Sequence, residues 1–223
     1  MQWTNQRRMM KHRSTIAIFS EWQRLARTER GTFRAPMRER IEPRKLGRHL
    51  SDLFFLEAGE HGDLSFRLAG TRICTLFGRE LKNTRFLSLW SERDRAALRE
   101  TSQNVSGLEI PALVSHVGIS MSGRSLGGLE MFLAPLEAAD GQISILGSIA
   151  VLDSVTWVGA DPIVLGHLNS IEPVAPDLIL ADDVRQSAAV TVNAAGTGRE
   201  WTNIRLTELH AAPKLRVING GKA

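Results

Sequence analysis

The residues most able to do covalent chemistry in this chain of 223 residues are six histidines and one cysteine, Cys74. A cysteine enzyme pairs its nucleophile with a histidine in a family-specific pattern, and no such pattern surrounds Cys74. Cys74 follows Ile73 in an apolar, helix-like stretch, which is typical of a small buried side chain. We therefore expect no catalytic residue and no enzymatic activity.

Histidine also serves as a ligand for haem and metal ions. Haem iron needs an axial ligand, most often histidine, and the predicted helix over residues 93–107 contains none. His116 lies in a predicted strand and could face a cavity, although a single histidine is more often structural. The His-x-Glu and Cys-x-x-Cys patterns of zinc sites are absent from the sequence. We expect neither a metal site nor a bound cofactor.

The only glycine-rich segment is residues 123–128 (GRSLGG). A phosphate-binding loop would continue with Gly-Lys-Ser or Gly-Lys-Thr and open a helix, whereas strand-like sequence flanks this segment on both sides. We predict a hairpin turn there.

Charge is distributed unevenly along the chain. Residues 1–50 contain 13 Lys and Arg against four Asp and Glu, whereas the rest of the chain is mildly acidic. A basic head of this kind can dock onto nucleic acid or an anionic membrane, or it can be a solvated helix face. We favour the solvated face, so nucleic acid and membrane are not expected partners.

The basic head divides into a tail and a helix. Residues 1–13 are polar and basic without periodicity, which predicts a disordered tail. Residues 14–31 predict an amphipathic helix that Gly31 ends, with one apolar stripe that includes Phe19, Trp22 and Leu25. An exposed stripe would favour aggregation, so we expect it to form a homodimer or partner interface, the alternative being that it packs on the open face of its own sheet.

The remaining elements follow a definite order. Two strands in a hairpin come first, then several short helices, then three strands rich in Val, Ile and Leu. This order predicts a core over residues 36–158 of the α+β class. Residues 159–223 are predicted as a C-terminal extension with weak strands near residues 188–192 and 214–218.

Several sequence blocks carry a family resemblance. The most specific are residues 66–73 (FRLAGTRI) and 76–81 (LFGREL), followed by Leu89-Trp90 and residues 128–136 (GLEMFLAPL). With them, the chain resembles a family of short, stand-alone PAS-domain proteins found in alphaproteobacteria. The resemblance implies a PAS-like five-stranded antiparallel sheet with helices on one face, here preceded by the amphipathic helix. It also implies a bacterial regulatory protein without an attached kinase, cyclase or DNA-binding domain. The single cysteine and the absence of an apolar run long enough to cross a bilayer lead us to expect a cytoplasmic location.

A PAS-like core leaves a cavity between the sheet and its helices. We expect this cavity to hold a small ligand or none, and we expect the protein to act on another signalling protein. The light-sensing members carry a flavin-reactive cysteine in an Asn-Cys-Arg context, which the residues around Cys74 do not match. The candidate cavity residues are Phe66, Trp90, Val114, His116 and Phe132.

Overall fold

A computed structural model describes residues 10–59, 63–139, 141–153 and 156–177. The weak strands predicted near residues 188–192 and 214–218 lie outside the described residues, as do residues 1–9 of the predicted tail. The last residues of that tail are ordered, contrary to the prediction. The backbone N–H groups of Lys11 and His12 donate to the carboxylate of Glu130, at 2.8 and 3.0 Å.

The described residues form one antiparallel sheet in the strand order β2-β1-β5-β4-β3-β6. The α+β, PAS-like class is confirmed, but the sheet has six strands where five were predicted. The sixth strand lies beyond residue 158, in the segment predicted as an extension, and pairs along the whole length of β3. The strands are β1 (Leu53–Ala58), β2 (Leu64–Ala69), β3 (Ala112–Ser120), β4 (Ser125–Glu137), β5 (Ile143–Val151) and β6 (Ile163–Pro173).

Within the described residues four α-helices accompany the sheet, and the first is shorter than predicted. The chain leaves the helix at Arg27, whose backbone is extended, and Gly31 sits in the following turn with a φ of +76°. At the other end of this helix, the His12 side chain accepts a hydrogen bond from the backbone N–H of Ser14. The helices are α1 (Arg13–Ala26), α2 (Pro43–Leu46), α3 (Thr71–Phe77) and α4 (Glu92–Leu108).

Helices cover both faces of the sheet, whereas the sequence predicted them on one face. Residues Leu129 to Leu136 of β4 are buried without interruption, so side chains pointing to either face are enclosed. Met131 and Leu133 belong to the apolar cluster under α3 and α4. Phe132 and Ala134 belong to a second cluster under α1. The fold therefore has a helix layer on each side of one sheet.

The stripe of α1 is core of its own chain and not an interface, which corrects the prediction for Phe19, Trp22 and Leu25. All three side chains are buried, with Phe19 and Trp22 at most 1% exposed. The Phe19 ring meets the Phe132 ring edge-on at 5.7 Å, and Trp22 Nε1 donates to the Pro135 carbonyl at 2.8 Å. The apolar second face of the sheet buries the stripe, so the homodimer prediction loses its basis.

Candidate ligand cavity

Trp90 occupies the junction between two elements on the α4 side of the sheet. It follows the 3-10 turn Phe86–Leu89 and lies two residues before Glu92, the first residue of α4. The backbone of Trp90 forms a parallel bridge with Gly166 of β6, and Ser91 N–H donates to the Gly166 carbonyl at 3.0 Å. A Cβ atom at Gly166 would lie only 2.8 Å from the Trp90 ring. Glycine is therefore required for the indole to lie against this strand.

His116 approaches Trp90 from the adjacent strand β3. The two ring centroids are 4.8 Å apart, with one ring edge toward the other. His116 is only 2% exposed. Burial lowers the pKa of His116 to about 3, and the Val114 carbonyl opposes only part of this shift. The imidazole is therefore neutral at physiological pH.

A small cavity of about 10 Å³ lies between these two rings and the surrounding core. Two polar atoms on its lining residues, Trp90 Nε1 and His116 Nδ1, are buried and have no hydrogen-bond partner among the described residues. A buried polar atom left without a partner costs about 1–3 kcal/mol. Although Trp90 and His116 line the cavity, nearly all of the surface that faces it is apolar. The lining residues are Phe77, Phe86, Leu89, Trp90, His116, Leu129, Ile149, Ile163 and Gly166.

The five predicted cavity residues have three different positions. Trp90 and His116 line the cavity. Phe66 and Val114 lie in the same apolar cluster without lining it. Phe132 lies under α1 on the opposite face of the sheet, so its assignment to the cavity is wrong. Its neighbours Met131 and Leu133 face the α4 side because successive side chains of a strand point to opposite faces.

Two lining residues, Ile163 and Gly166, come from β6, which the sequence analysis placed outside the core. The apolar residues of β6 do not alternate along the strand, so the sequence gives only a weak strand signal there. Without the pairing to β3, nothing in the sequence brings this strand next to Trp90.

One catalytic spacing escaped the sequence analysis: residues 123–127 (GRSLG) match Gly-x-Ser-x-Gly. In α/β-hydrolases this motif forms a strained turn from a strand into a helix, with the serine at its tip. Here Ser125 is the first residue of β4 and pairs with Ile119 of β3 across a hairpin. The predicted hairpin turn is confirmed, and the geometry of a nucleophile elbow is absent at Ser125.

A serine, a histidine and an aspartate also meet at the start of α1. Ser14 Oγ donates to Asp52 Oδ2 at 2.5 Å and lies 2.9 Å from His49 Nδ1. Since the single Ser14 proton goes to Asp52, His49 must donate to Ser14 and cannot act as its base. Arg72 also donates to Asp52, at 2.5 Å. This cluster joins α1 to α3 and the turn before β1, which is a structural role.

Neither Cys74 nor any cluster of metal-ligating side chains forms a second site in the described part of the chain. The Cys74 thiol is half-buried, and burial raises its pKa, which keeps it protonated. No three His, Cys, Asp or Glu side chains of the described residues are placed to hold a metal ion. Among the same residues, no helix has the length and apolar composition needed to cross a membrane.

Comparison with known proteins assigns the family. A PAS domain model matches residues 10–150, which extend from the segment before α1 almost to the end of β5. No curated protein matches the chain. The match covers more than half of the sequence, and it includes Trp90, His116 and most of the cavity lining. The chain belongs to the PAS domain family.

Proposed function

We propose that this protein is a PAS-type sensory regulator that acts through another signalling protein and is not an enzyme. The observation that carries the proposal is the small apolar cavity between the sheet and its helices, which Trp90 and His116 line. The resemblance to stand-alone alphaproteobacterial PAS proteins supports a bacterial, cytoplasmic regulator. The hairpin around Ser125 and the bonding of Ser14 to Asp52 support a non-enzymatic role.

A signal from the cavity has a short route to the edge of the sheet. Trp90 is joined to β6 at Gly166, and one turn later Asp94 Oδ2 accepts from the backbone N–H of Leu168 at 3.0 Å. The strand β6 is an edge strand, since only β3 pairs with it in the described sheet. Movement of Trp90 on ligand binding would therefore displace an edge of the protein that a partner could contact.

Substitution of Gly166 tests the proposal because it disturbs Trp90 without changing any charge. In Gly166→Ala the new methyl group must displace the Trp90 ring, which lies 2.8 Å from its position. The matched control is Gly127→Ala in β4, where the nearest atom to the new methyl is 3.6 Å away. The full chain and both variants are immobilised and exposed to an extract of the cells that express the protein.

We expect the wild type and Gly127→Ala to retain the same signalling protein, and Gly166→Ala to retain it at least severalfold less. Equal retention by all three folded proteins would contradict the coupling of the cavity to the partner. Retention of no protein by the wild type would contradict action through a partner.

A second candidate, binding to nucleic acid or an anionic membrane, is favoured by one observation. Arg44, Lys45 and Arg48 are exposed on α2 and the turn after it, close to the start of α1. Binding through such cations weakens steeply with salt because each contact releases a counterion. We expect only weak binding of duplex DNA or anionic vesicles, lost at moderate salt. A tight complex selective for one DNA sequence would make this candidate the main function.

A further inference from the structure

Part of the α1 face carries apolar side chains that do not pack into the cluster under α1. Val117 and Ile119 of β3 lie on this face, because Gly118 between them faces side chains of the opposite, α4 cluster. Leu165 of β6 pairs with Ile119, and directly paired residues share a face. All three side chains are half-buried, and neither apolar cluster of the described residues includes them. The three form an open strip on the α1 face.

Exposed apolar side chains lie at the same end of these strands. Met121, which follows β3, is 73% exposed, and Val164 beside Leu165 is 47% exposed. The backbone N–H of Met121 donates to the Pro162 carbonyl at 2.8 Å, so Met121 lies next to the start of β6. A group of apolar side chains at the surface usually marks a place that another segment or molecule covers.

The direction of α1 leads the preceding residues toward the open strip. The helix starts where Glu130 of β4 accepts from the backbone N–H groups of Lys11 and His12. It ends beside Pro135 of the same strand, to which Trp22 donates its hydrogen bond. The helix therefore runs in the direction of β4, and β3 is antiparallel to β4. Traced backward from Lys11, the chain heads the way that β3 runs, toward the open strip.

The distance from the start of α1 to the end of the open strip is short. Ser115 of β3 pairs with Glu130, and Ile119 lies four residues farther along, which is about 13 Å in a strand. Met10 is buried in the cluster under α1, so residues 1–9 join the described chain on this face. A chain of nine residues spans at most about 30 Å when extended. Residues 1–9 are therefore long enough to lie over the whole strip.

The composition of residues 1–9 (MQWTNQRRM) matches the surface around the open strip. Trp3 supplies a large ring, and a packed aromatic side chain of this size buries about 150–250 Å². The two arginines of the segment carry a charge opposite to that of Asp153, whose carboxylate lies against Gly128 at this end of β4. Apolar and charged groups are thus both complementary.

We propose that residues 1–9 dock onto the open strip of their own chain, with the Trp3 ring against its three side chains. The segment is continuous with α1 and completes the layer that covers this face of the sheet. Residues 178–223 and a second copy of the chain are the alternative occupants, and the experiment distinguishes them. The docking depends on neither a ligand nor a signalling partner, so it can fail while the proposed function stands, and the reverse.

The test uses NMR of the full chain with ¹³C-labelled methyl groups of Ile, Leu and Val. Nuclear Overhauser cross-peaks between the Trp3 ring and the methyl groups of the open strip report the contact directly, and Trp3→Ala assigns the Trp3 signals by their loss. A second sample mixes labelled with unlabelled chains, which separates contacts within one chain from contacts between two chains.

We expect cross-peaks from Trp3 to the methyl groups of Ile119 and Leu165 within one chain. In Trp3→Ala these methyl signals should shift, whereas those of Leu68, which is exposed on the opposite edge strand β2, should not. Absence of the Trp3 cross-peaks would overturn the proposal. Cross-peaks to the open strip that arise only between chains, or only from residues 178–223, would overturn it in favour of the other occupants.

A variant of the open strip tests the same contact from the other side. Leu165→Ser changes the strip without touching residues 1–9, and Leu68→Ser is the matched control because Leu68 is a leucine on the opposite edge of the sheet. We expect Leu165→Ser to weaken the cross-peak between Trp3 and Ile119 severalfold, and Leu68→Ser to leave it unchanged. Equal intensities in the two folded variants would show that residues 1–9 do not dock on this strip.

Discussion

The two faces of the sheet each bury one tryptophan, and they treat its indole nitrogen in opposite ways. On the α1 face, Trp22 Nε1 donates to the Pro135 carbonyl of β4 at 2.8 Å. On the α4 face, Trp90 Nε1 has no hydrogen-bond partner among the described residues, and the indole packs on Gly166 beside a small cavity. The two indoles therefore differ in what holds them in place, which is a hydrogen bond together with packing on one face and packing alone on the other.

The two faces also differ in the residues that fill them. The α1 face holds a closed apolar cluster in which Phe19, Trp22 and Phe132 interlock. The α4 face combines a similar cluster with Gly166, a neutral buried histidine and the cavity. Substitutions on the α1 face should change folding, and substitutions around the cavity should change binding at a smaller cost in stability.

The largest effect is expected from Phe19→Glu together with Trp22→Glu. Both side chains are buried against the sheet, so two carboxylates would be placed in the core without partners. Because the total stability of a domain is on the order of 5–15 kcal/mol, we expect the double variant not to fold. Circular dichroism and light-scattering mass are the measurements. A folded monomer of near-native melting temperature, obtained from a dimeric wild type, would restore the interface prediction.

The second-largest effect is expected from low pH, which should lower the free energy of unfolding through His116 on the α4 face. The pKa of His116 falls from 6.5 to about 3 on folding. The unfolded chain therefore binds a proton that the folded chain does not, so stability is complete above pH 6.5 and falls as the pH drops toward 3. The slope from one such group approaches about 1.4 kcal/mol per pH unit.

Denaturant unfolding between pH 7 and pH 4.5 measures this slope. The variant His116→Leu should remove most of it. His49→Leu is the comparison, since burial also lowers the pKa of His49, at a less buried position. Equal slopes in the wild type and His116→Leu would contradict a neutral, buried His116.

A moderate effect is expected from Gly166→Ala. The added methyl group must shift the Trp90 ring or the strand β6, and overpacking of this kind typically costs about 1–3 kcal/mol. Gly127→Ala should stay close to the wild type, because its new methyl group makes an ordinary contact. Urea unfolding of the three proteins provides the comparison. If Gly166→Ala were as stable as Gly127→Ala, the close packing of Trp90 on β6 would be wrong.

The smallest quantity is the difference in stability between the two Trp→Phe variants, and it is also the sharpest comparison. Trp22→Phe leaves the buried Pro135 carbonyl without its donor, at a cost of about 1–3 kcal/mol beyond lost packing. Trp90→Phe removes a donor that no protein acceptor needs, so it should be the less destabilising change. Chemical unfolding of both variants under the same conditions measures the two losses of stability that are compared. A larger loss in Trp90→Phe would reverse the assignment of roles to the two faces.

The sequence predicts the elements better than their arrangement. Residue spacing identifies α1 and the order of the first five strands because these signals are local. It does not reveal that β6 pairs with β3, since register depends on contacts between distant segments. The uninterrupted apolar run of β4, from Met131 to Leu136, was a readable sign that both faces are buried. This sign favours packing of the α1 stripe on the sheet over an interface.

The cavity could be predicted only in part, for the same reason. Val114 and His116 are two residues apart and share a face, as strand periodicity predicts. Phe132 pairs with Leu113 rather than Val114, and this one-residue difference puts it on the opposite face. A single glycine such as Gly166 does not predict from the sequence that a side chain will pack on it. Its role is seen only in the structure, where the Trp90 ring lies against it.

A crystal structure of the full chain at high resolution tests the contrast between the two faces most directly. We predict that Trp22 Nε1 keeps its hydrogen bond to the Pro135 carbonyl, and that the Trp90 ring packs on Gly166 with no protein acceptor beside its Nε1. A Trp90 indole bonded to a protein acceptor, or a Trp22 indole without one, would contradict the difference between the two faces.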